Sequence, residues 1–207
     1  MGMQFDHVPP TPYLDIALDI IRKGIEKEKG ILKSYRNEKL KNQRLVEAFN
    51  ILGANDKNPI FAQKENVRKD NNCQEDMFFH LPDDNHTRIF YIEAKRLPKT
   101  KTDSGEEYVL GLSTSGKPSG GIERYKLGLH GEPQRLKHNG IIAYVENKTI
   151  AEWETIINDS IASHYPEDIA IQTNDLFANE YASTHCYSYN RINEYFKMYH
   201  FWIDLTQ

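Results

Sequence analysis

Cysteine is nearly absent. Cys73 and Cys186 are the only two in 207 residues, too few for a disulfide framework and without the paired spacing of a zinc site. Long hydrophobic runs are missing too. The longest, such as "GIIAYV" at 140–145, falls far short of a membrane span. The start, "MGMQFDHVPPTPYLD", lacks a basic segment followed by an apolar one. These absences lead to the expectation of a cytoplasmic protein with no membrane contact. There is no internal repeat or low-complexity linker, and a net charge of -4 sets the chain apart from strongly basic nucleic-acid binders.

What is present is an ordinary globular composition, 39% hydrophobic and 27% charged, enough for one domain with a real core. Charge is unevenly spread. Nine Lys or Arg stand against three Glu from Arg22 to Arg44, and Lys95, Arg96, Lys99 and Lys101 form a second basic group. The stretch 146–180 is acidic apart from Lys148. One face is therefore suited to an anionic partner, although a solvated helix face explains the 22–44 run equally well.

Residues 13–52 have helical periodicity, with a break expected near Gly30. On a helical wheel Phe49 and Leu52 fall within about 40° of Leu45, and Glu38 and Asn42 share that face. Glu47 points away, as a solvent partner of Arg44. Glu38 is thus either a carboxylate at the polar end of a core-facing stripe or an acid that favours the helix start. A turn-rich connection follows, then "CQEDMFFHL", the turn "PDDNHT" and "RIFYIEAKRL", which read as a hairpin. "PKTKTDSGEEY" and "STSGKPSGG" are loop chemistry. A short helix "GIERYKLGLHG", a buried strand "NGIIAYVEN", an amphipathic helix "TIAEWETIINDSIASHY" and two aromatic strands complete the chain. This order predicts an α/β protein, an α/β/α sandwich around a central mixed sheet. The reading is a single domain over 1–207, with an N-terminal helical extension (1–33), a core (34–146) and a C-terminal helix and strands (147–207).

The segment "IFYIEAKRL" carries the chemistry. Glu93 and Lys95 share one strand face by the period of two, while Ala94 faces the other way. Folding the hairpin back brings Asp76 or Glu75 near Glu93. A carboxylate pair suits a hard divalent cation, and an adjacent ammonium suits a phosphate or an attacking water. A surface ion pair, worth about 0–1 kcal/mol, is the plainer explanation of Glu93 and Lys95. It leaves the apolar run before them and the acid across the hairpin unexplained.

With "ED" at 75–76 and "IEAK" at 92–95, the chain resembles the PD-(D/E)xK nuclease superfamily, the restriction endonuclease-like fold. Asp76 stands for the first acid and Glu93 and Lys95 for the ExK half, and Glu38 looks like the acid many members carry on the first core helix. Position 75 is Glu where the family's name has Pro, a variation that leaves the metal ligand in place. The resemblance implies Mg²⁺, with Mn²⁺ as a substitute, held by Asp76, Glu93 and the Ala94 carbonyl. Lys95 would position the attacking water or stabilise the phosphate, and Glu38 would complete the catalytic set. It further implies hydrolysis of DNA, with RNA as the other nucleic-acid substrate, a bacterial restriction, defence or repair setting, and a homodimer where both strands of a duplex are cut. Rival readings are a catalytically silent member of the fold that binds nucleic acid or a protein, and an α/β interaction protein whose charges are surface pairs.

Weaker motifs were weighed against this. "GLSTSGKP" has P-loop spacing, but Pro118 stands where a Mg²⁺-binding hydroxyl belongs, so a flexible loop over the site is the better reading. Lys117, and Arg124 near a helix start, are candidate phosphate contacts. His185 and His200 read as lone structural histidines. Tyr187, Tyr189, Tyr195, Tyr199 and Trp202 read as core rather than as base-stacking groups.

Overall fold

The fold comes from a computed structural model that describes residues 11–67, 74–98, 106–113, 115–130, 136–173, 177–188 and 194–206. Cys73, Lys99, Lys101 and Tyr189, and the side chain of Glu75, lie outside the described residues. Chain order is α1 (Thr11–Leu32), α2 (Glu38–Asn55), β1 (Phe61–Val67), β2 (Gln74–His80), β3 (Arg88–Leu97), α3 (Glu106–Val109), α4 (Gly121–Lys126), β4 (His138–Val145), α5 (Ile150–His164), β5 (Ile169–Thr173), β6 (Glu180–Cys186) and β7 (Tyr195–Asp204).

The strands form one mixed seven-stranded sheet in the order β1-β2-β3-β4-β7-β6-β5. β3, β4 and β7 run parallel at its centre, and the outer pairs are antiparallel. Strands buried on both faces need near-continuous apolar sequence, and β3 and β4 have it: Ile89–Ile92 and Ile141–Val145 are all buried. Side-chain alternation sorts them into two cores. Phe90, Ile92, Ala94, Ile142 and Tyr144 pack with α1 and α2. Tyr91, Leu97, Ile141, Ala143 and Val145 pack with α3, α4 and α5, around the fully buried Trp153. Burying each large side chain contributes about 1.5–3 kcal/mol.

The helix ends have local causes. Asn37 caps α2 by accepting the Leu40 N–H at 2.9 Å, and Glu38 in the first turn opposes the helix dipole favourably. Thr149 and Glu152 make a reciprocal capping box at α5. The break between α1 and α2 lies at 33–37 rather than at Gly30, which sits inside α1 with open space where a Cβ would be. Arg44 reaches Glu47 only at 3.9 Å and instead binds Glu28 of α1 at 2.6 Å. That contact, with a carboxylate 3% exposed, ties the two helices together across the break.

Two strands and one helix arise where the sequence reads as loop. β1 lies in the turn-rich connection, its edge held by the Asn50 side chain, which both donates to and accepts from Ala62 at 2.9 Å. β5 is a polar outer strand, held similarly by Asn158 through Ile171. The short α3 occupies the end of the expected loop after Pro98. Among the described residues, no helix is long and apolar enough to cross a membrane.

Candidate functional site

The β2–β3 ladder runs from His80–Arg88 to Met77–Ile92. Beyond Ile92 a side chain takes over from the backbone: the Ala94 N–H donates to Asp76 Oδ2 at 2.8 Å. Asp76 is thereby fixed beside Glu93, the convergence the hairpin implies. β3 continues past it along β4, which sets Glu93 within the parallel pair and Lys95 and Arg96 toward its C-terminal end, where open α/β sheets place ligands. The α1–α2 connection crosses the same end and carries Glu38 there from the opposite helical layer. A cavity of about 460 Å³ opens at this point, lined by Glu38, Lys39, Lys95, Arg96, Glu107 and Tyr108.

Glu93 is almost fully buried, 2% exposed, and two cations and a histidine surround it. Lys95 Nζ lies 2.7 Å and Arg124 Nη1 3.3 Å from Oε1, and His130 Nδ1 lies 3.3 Å from Oε2. Burial alone would raise the Glu93 pKa, but Lys95, His130 and Arg124 outweigh it and hold the carboxyl at about 2. Burial would likewise lower Lys95, but the Glu93 carboxylate, reinforced by Asp76 and Glu38, carries its pKa above the ordinary lysine value. Lys95 is therefore an ammonium at neutral pH, suited to stabilising charge rather than accepting a proton. Asp76 goes the other way. Burial, then the like charges of Glu93 and Glu38, push its pKa well above the carboxylate range, despite the Ala94 N–H and Lys95. Like-charge crowding of this kind is the electrostatic mark of carboxylates gathered where a cation is wanted.

Glu38, Asp76, Glu93 and Lys95 are thus brought together. Arg124 also reaches the cluster, as a partner of Glu93. Lys117 is exposed on a tight turn rather than packed at the cluster. That turn closes through a Leu112–Pro118 bridge, with Gly116 at φ +73°. Glu123 anchors the turn's two ends by accepting the Gly111 and Gly120 N–H groups. Gly120 and Gly121 let α4 close on the site: a Cβ at 120 would stand 2.2 Å from Leu110 Cα, and one at 121 would stand 3.3 Å from Lys95 Cε. His130 is a site residue that periodicity gave no means of finding. Among the described residues, no three His, Cys, Asp or Glu side chains already ring one point closely enough to hold a metal.

A second polar assembly lies deep in the core between the sheet and α3, α4 and α5. His185 and His200 are not isolated, because Ser183 bridges them. The Trp202 indole can only donate, and it does so to the Tyr108 hydroxyl at 2.9 Å. The hydroxyl hydrogen then goes to His200 Nδ1 (2.7 Å), His200 Nε2–H to Ser183 (2.7 Å), Ser183 to His185 Nε2 (2.6 Å), and His185 Nδ1–H to Asp168 (2.7 Å). Asp168 also receives the buried Lys126 ammonium at 2.7 and 2.8 Å and the Cys186 N–H. With both histidines neutral, every bond has one donor and all run in one sense. The Ser183–His185–Asp168 order matches an acyl-transfer triad. Ser183 is only 2% exposed and is also engaged by His200, so no substrate carbonyl can approach, and the relay is a brace. Tyr187, Tyr199 and Trp202 are buried core, whereas Tyr195 is exposed.

The relay sets a pH dependence. Burial lowers the pKa of His185, against the pull of Asp168, and lowers His200 well below the ordinary value. Groups with depressed pKa stabilise the fold above their unfolded value, about 6.5, and lose that contribution as pH falls below it. Urea midpoints are expected to fall between pH 7 and pH 5. A flat profile over that window would contradict a neutral relay.

No protein-family model, curated protein or solved structure matches the chain. The fold and site define an α/β protein with a mixed seven-stranded sheet and a charged cluster at the end of its central parallel strands.

Proposed function

We propose that this protein is a metal-dependent nuclease of restriction endonuclease-like fold that hydrolyses DNA phosphodiester bonds. The observation that supports it is the meeting of Glu38, Asp76, Glu93 and Lys95 at one end of β3, where the β2–β3 ladder stops and a cavity opens. Three carboxylates and a raised-pKa ammonium fit a hard cation beside a phosphate better than they fit a packed wall.

Asp76 and Glu93 would hold Mg²⁺ or Mn²⁺, with the Ala94 carbonyl as a further oxygen ligand. Such an ion lowers the pKa of a bound water and draws charge from the phosphate. Lys95, fixed as a cation by Glu93, orients the attacking water or stabilises the negative charge that develops on the phosphate. Arg124 stands on the same carboxylate and can turn toward a phosphate oxygen. Glu38 closes the cavity from the helical side and adds negative potential for the cation.

Purified protein incubated with plasmid and with single-stranded DNA is expected to cut in Mg²⁺ or Mn²⁺ and not in chelator. Glu93→Ala and Lys95→Ala should each lower the rate by about 10²–10³-fold or more. Metal-independent cutting, or cutting that survives both substitutions, would rule the site out.

One observation favours a second reading. Glu93 is already neutralised by Lys95, Arg124 and His130, an arrangement in which the cluster is a structural ion network and the protein only binds nucleic acid or a partner. Absence of any cutting, together with no calorimetric metal binding that depends on Asp76 and Glu93, would select it.

A further inference from the structure

The α1–α2 connection separates two cavities that share one side chain, Arg96. On one side is the 460 Å³ cavity of the cluster. On the other is a cavity of about 270 Å³ lined by Lys33, Tyr35, Arg36, Lys41, Arg96 and Glu146. Its lining carries four cations and one carboxylate, a surplus of three positive charges on a chain whose net charge is -4. The arrangement is built rather than incidental. Lys41, 2% exposed, donates to the Tyr35 carbonyl and to Glu146, each at 2.8 Å. Arg96 grips the same carboxylate through two nitrogens. Burial would raise the pKa of Glu146, but Arg96 and Lys41 bring it below the ordinary value. Glu146 therefore fixes two cations at the rim and leaves the pair with net positive charge, while Arg36 is exposed beside them.

We propose that this second cavity takes a backbone phosphate of a nucleic-acid strand. The strand crosses from the cluster to the α1–α2 connection over Arg96. The inference rests on the nuclease reading, and it adds the path of the strand and the groups that hold it. The volume, equal to roughly nine waters at about 30 Å³ each, admits a phosphodiester group. The net charge of the lining selects an anion, and the shared Arg96 makes the two cavities neighbouring stations on one polyanion.

The test is fluorescence anisotropy of a labelled oligonucleotide, single-stranded and duplex, with the full chain in chelator so that binding is read without cutting. The salt dependence of affinity is compared for wild type, Lys33→Ala/Arg36→Ala and Lys29→Ala. Lys29 is an exposed lysine paired with Glu26, one helical turn before Lys33 but outside the lining of both cavities, and its removal shows whether a loss is specific to the lining. The double variant is expected to bind about tenfold more weakly at low salt, with the log–log salt slope reduced by about one to two. Lys29→Ala should leave the slope unchanged. An unchanged slope in the double variant, an equal loss in Lys29→Ala, or no binding by wild type would each overturn the path. So would displacement of the strand by inorganic phosphate at concentrations where equal ionic strength of chloride does nothing, which would mark a site for the free anion. Cutting is scored separately: a strand held in this way by a protein that never cuts leaves the path standing and removes the nuclease reading.

Discussion

Replacing Asp76 with asparagine is expected to make the protein more heat-stable and, on the proposed nuclease reading, to abolish cutting of DNA. The folded-state pKa of Asp76 is raised, by burial first and then by Glu93 and Glu38. A raised carboxyl pKa means that the folded chain binds this proton more tightly than the unfolded chain, whose value is near 3.8. The contribution thus favours folding below that value and is lost as pH rises through the folded pKa, so the ionised side chain opposes folding. Asparagine removes the charge while its side-chain oxygen continues to accept the Ala94 N–H. Each unit of upward displacement is worth about 1.4 kcal/mol, and each kcal/mol moves the midpoint of a chain of this size by about 2–4 °C. Differential scanning fluorimetry of wild type and Asp76→Asn, with and without Mg²⁺, reads the effect. Mg²⁺ should stabilise the wild type alone and narrow the gap. A lower midpoint for Asp76→Asn would identify Asp76 as a structural anchor and weaken the case for catalysis at this site. Stability withheld at a working residue is common in enzymes.

The largest destabilisation is expected from Asp168→Ala. Asp168 and Lys126 have side chains that are 0% and 1% exposed, and the substitution leaves the ammonium buried with the Glu167 carboxylate at 3.3 Å and the face of the Tyr165 ring as its contacts. It also removes the acceptor for His185 Nδ1–H and for the Cys186 N–H. Losing one partner of a buried pair costs about 3–5 kcal/mol, a large share of the roughly 5–15 kcal/mol that holds a domain together. Urea denaturation should show it as a shifted midpoint with an unchanged slope. Lys126→Met, which removes the charge and keeps the length, is expected to lose less, because Asp168 retains two donors. Equal losses for the two variants would mean that the ion pair, not the relay, carries the effect.

The parts of this molecule that were legible in its sequence are those governed by short-range rules. A period of two placed Glu93 and Lys95 on one face, and a turn of known length folded Asp76 back to them. The wheel that joined Glu38 and Asn42 to Leu45 and Phe49 holds: Asn42 is buried and accepts the Tyr144 hydroxyl at 2.7 Å. What escaped notice depends on long-range packing. β1 and β5 are the edge strands of the sheet, fastened by Asn50 and Asn158 from helices that precede them, an attachment that no local pattern signals. The α1–α2 break contains neither Gly nor Pro and is signalled only by its cap, Asn37. The relay gathers Tyr108, Lys126, Asp168, Ser183, His185, His200 and Trp202 from five segments, and each residue looks unremarkable where it stands in the chain. His130 reaches Glu93 from the end of the α4 segment, in a stretch with no strand or helix register to aim it.

The sheet order has a consequence for how the protein is made. β7, the last of the described strands in chain order, is not at an edge but lies between β4 and β6. Once β4 has left the ribosome, roughly sixty further residues must follow before its partner arrives, about 3–12 s at ~5–20 residues per second. During that interval β4 can pair with β3 on one side, while the other side shows an unpaired ladder along one of the most apolar strands of the chain. The nascent chain is therefore at its most adhesive when all four residues of the candidate site have already been made. A chain that stops before Tyr195 is thus not a smaller version of this protein but an open sheet edge awaiting another copy of itself.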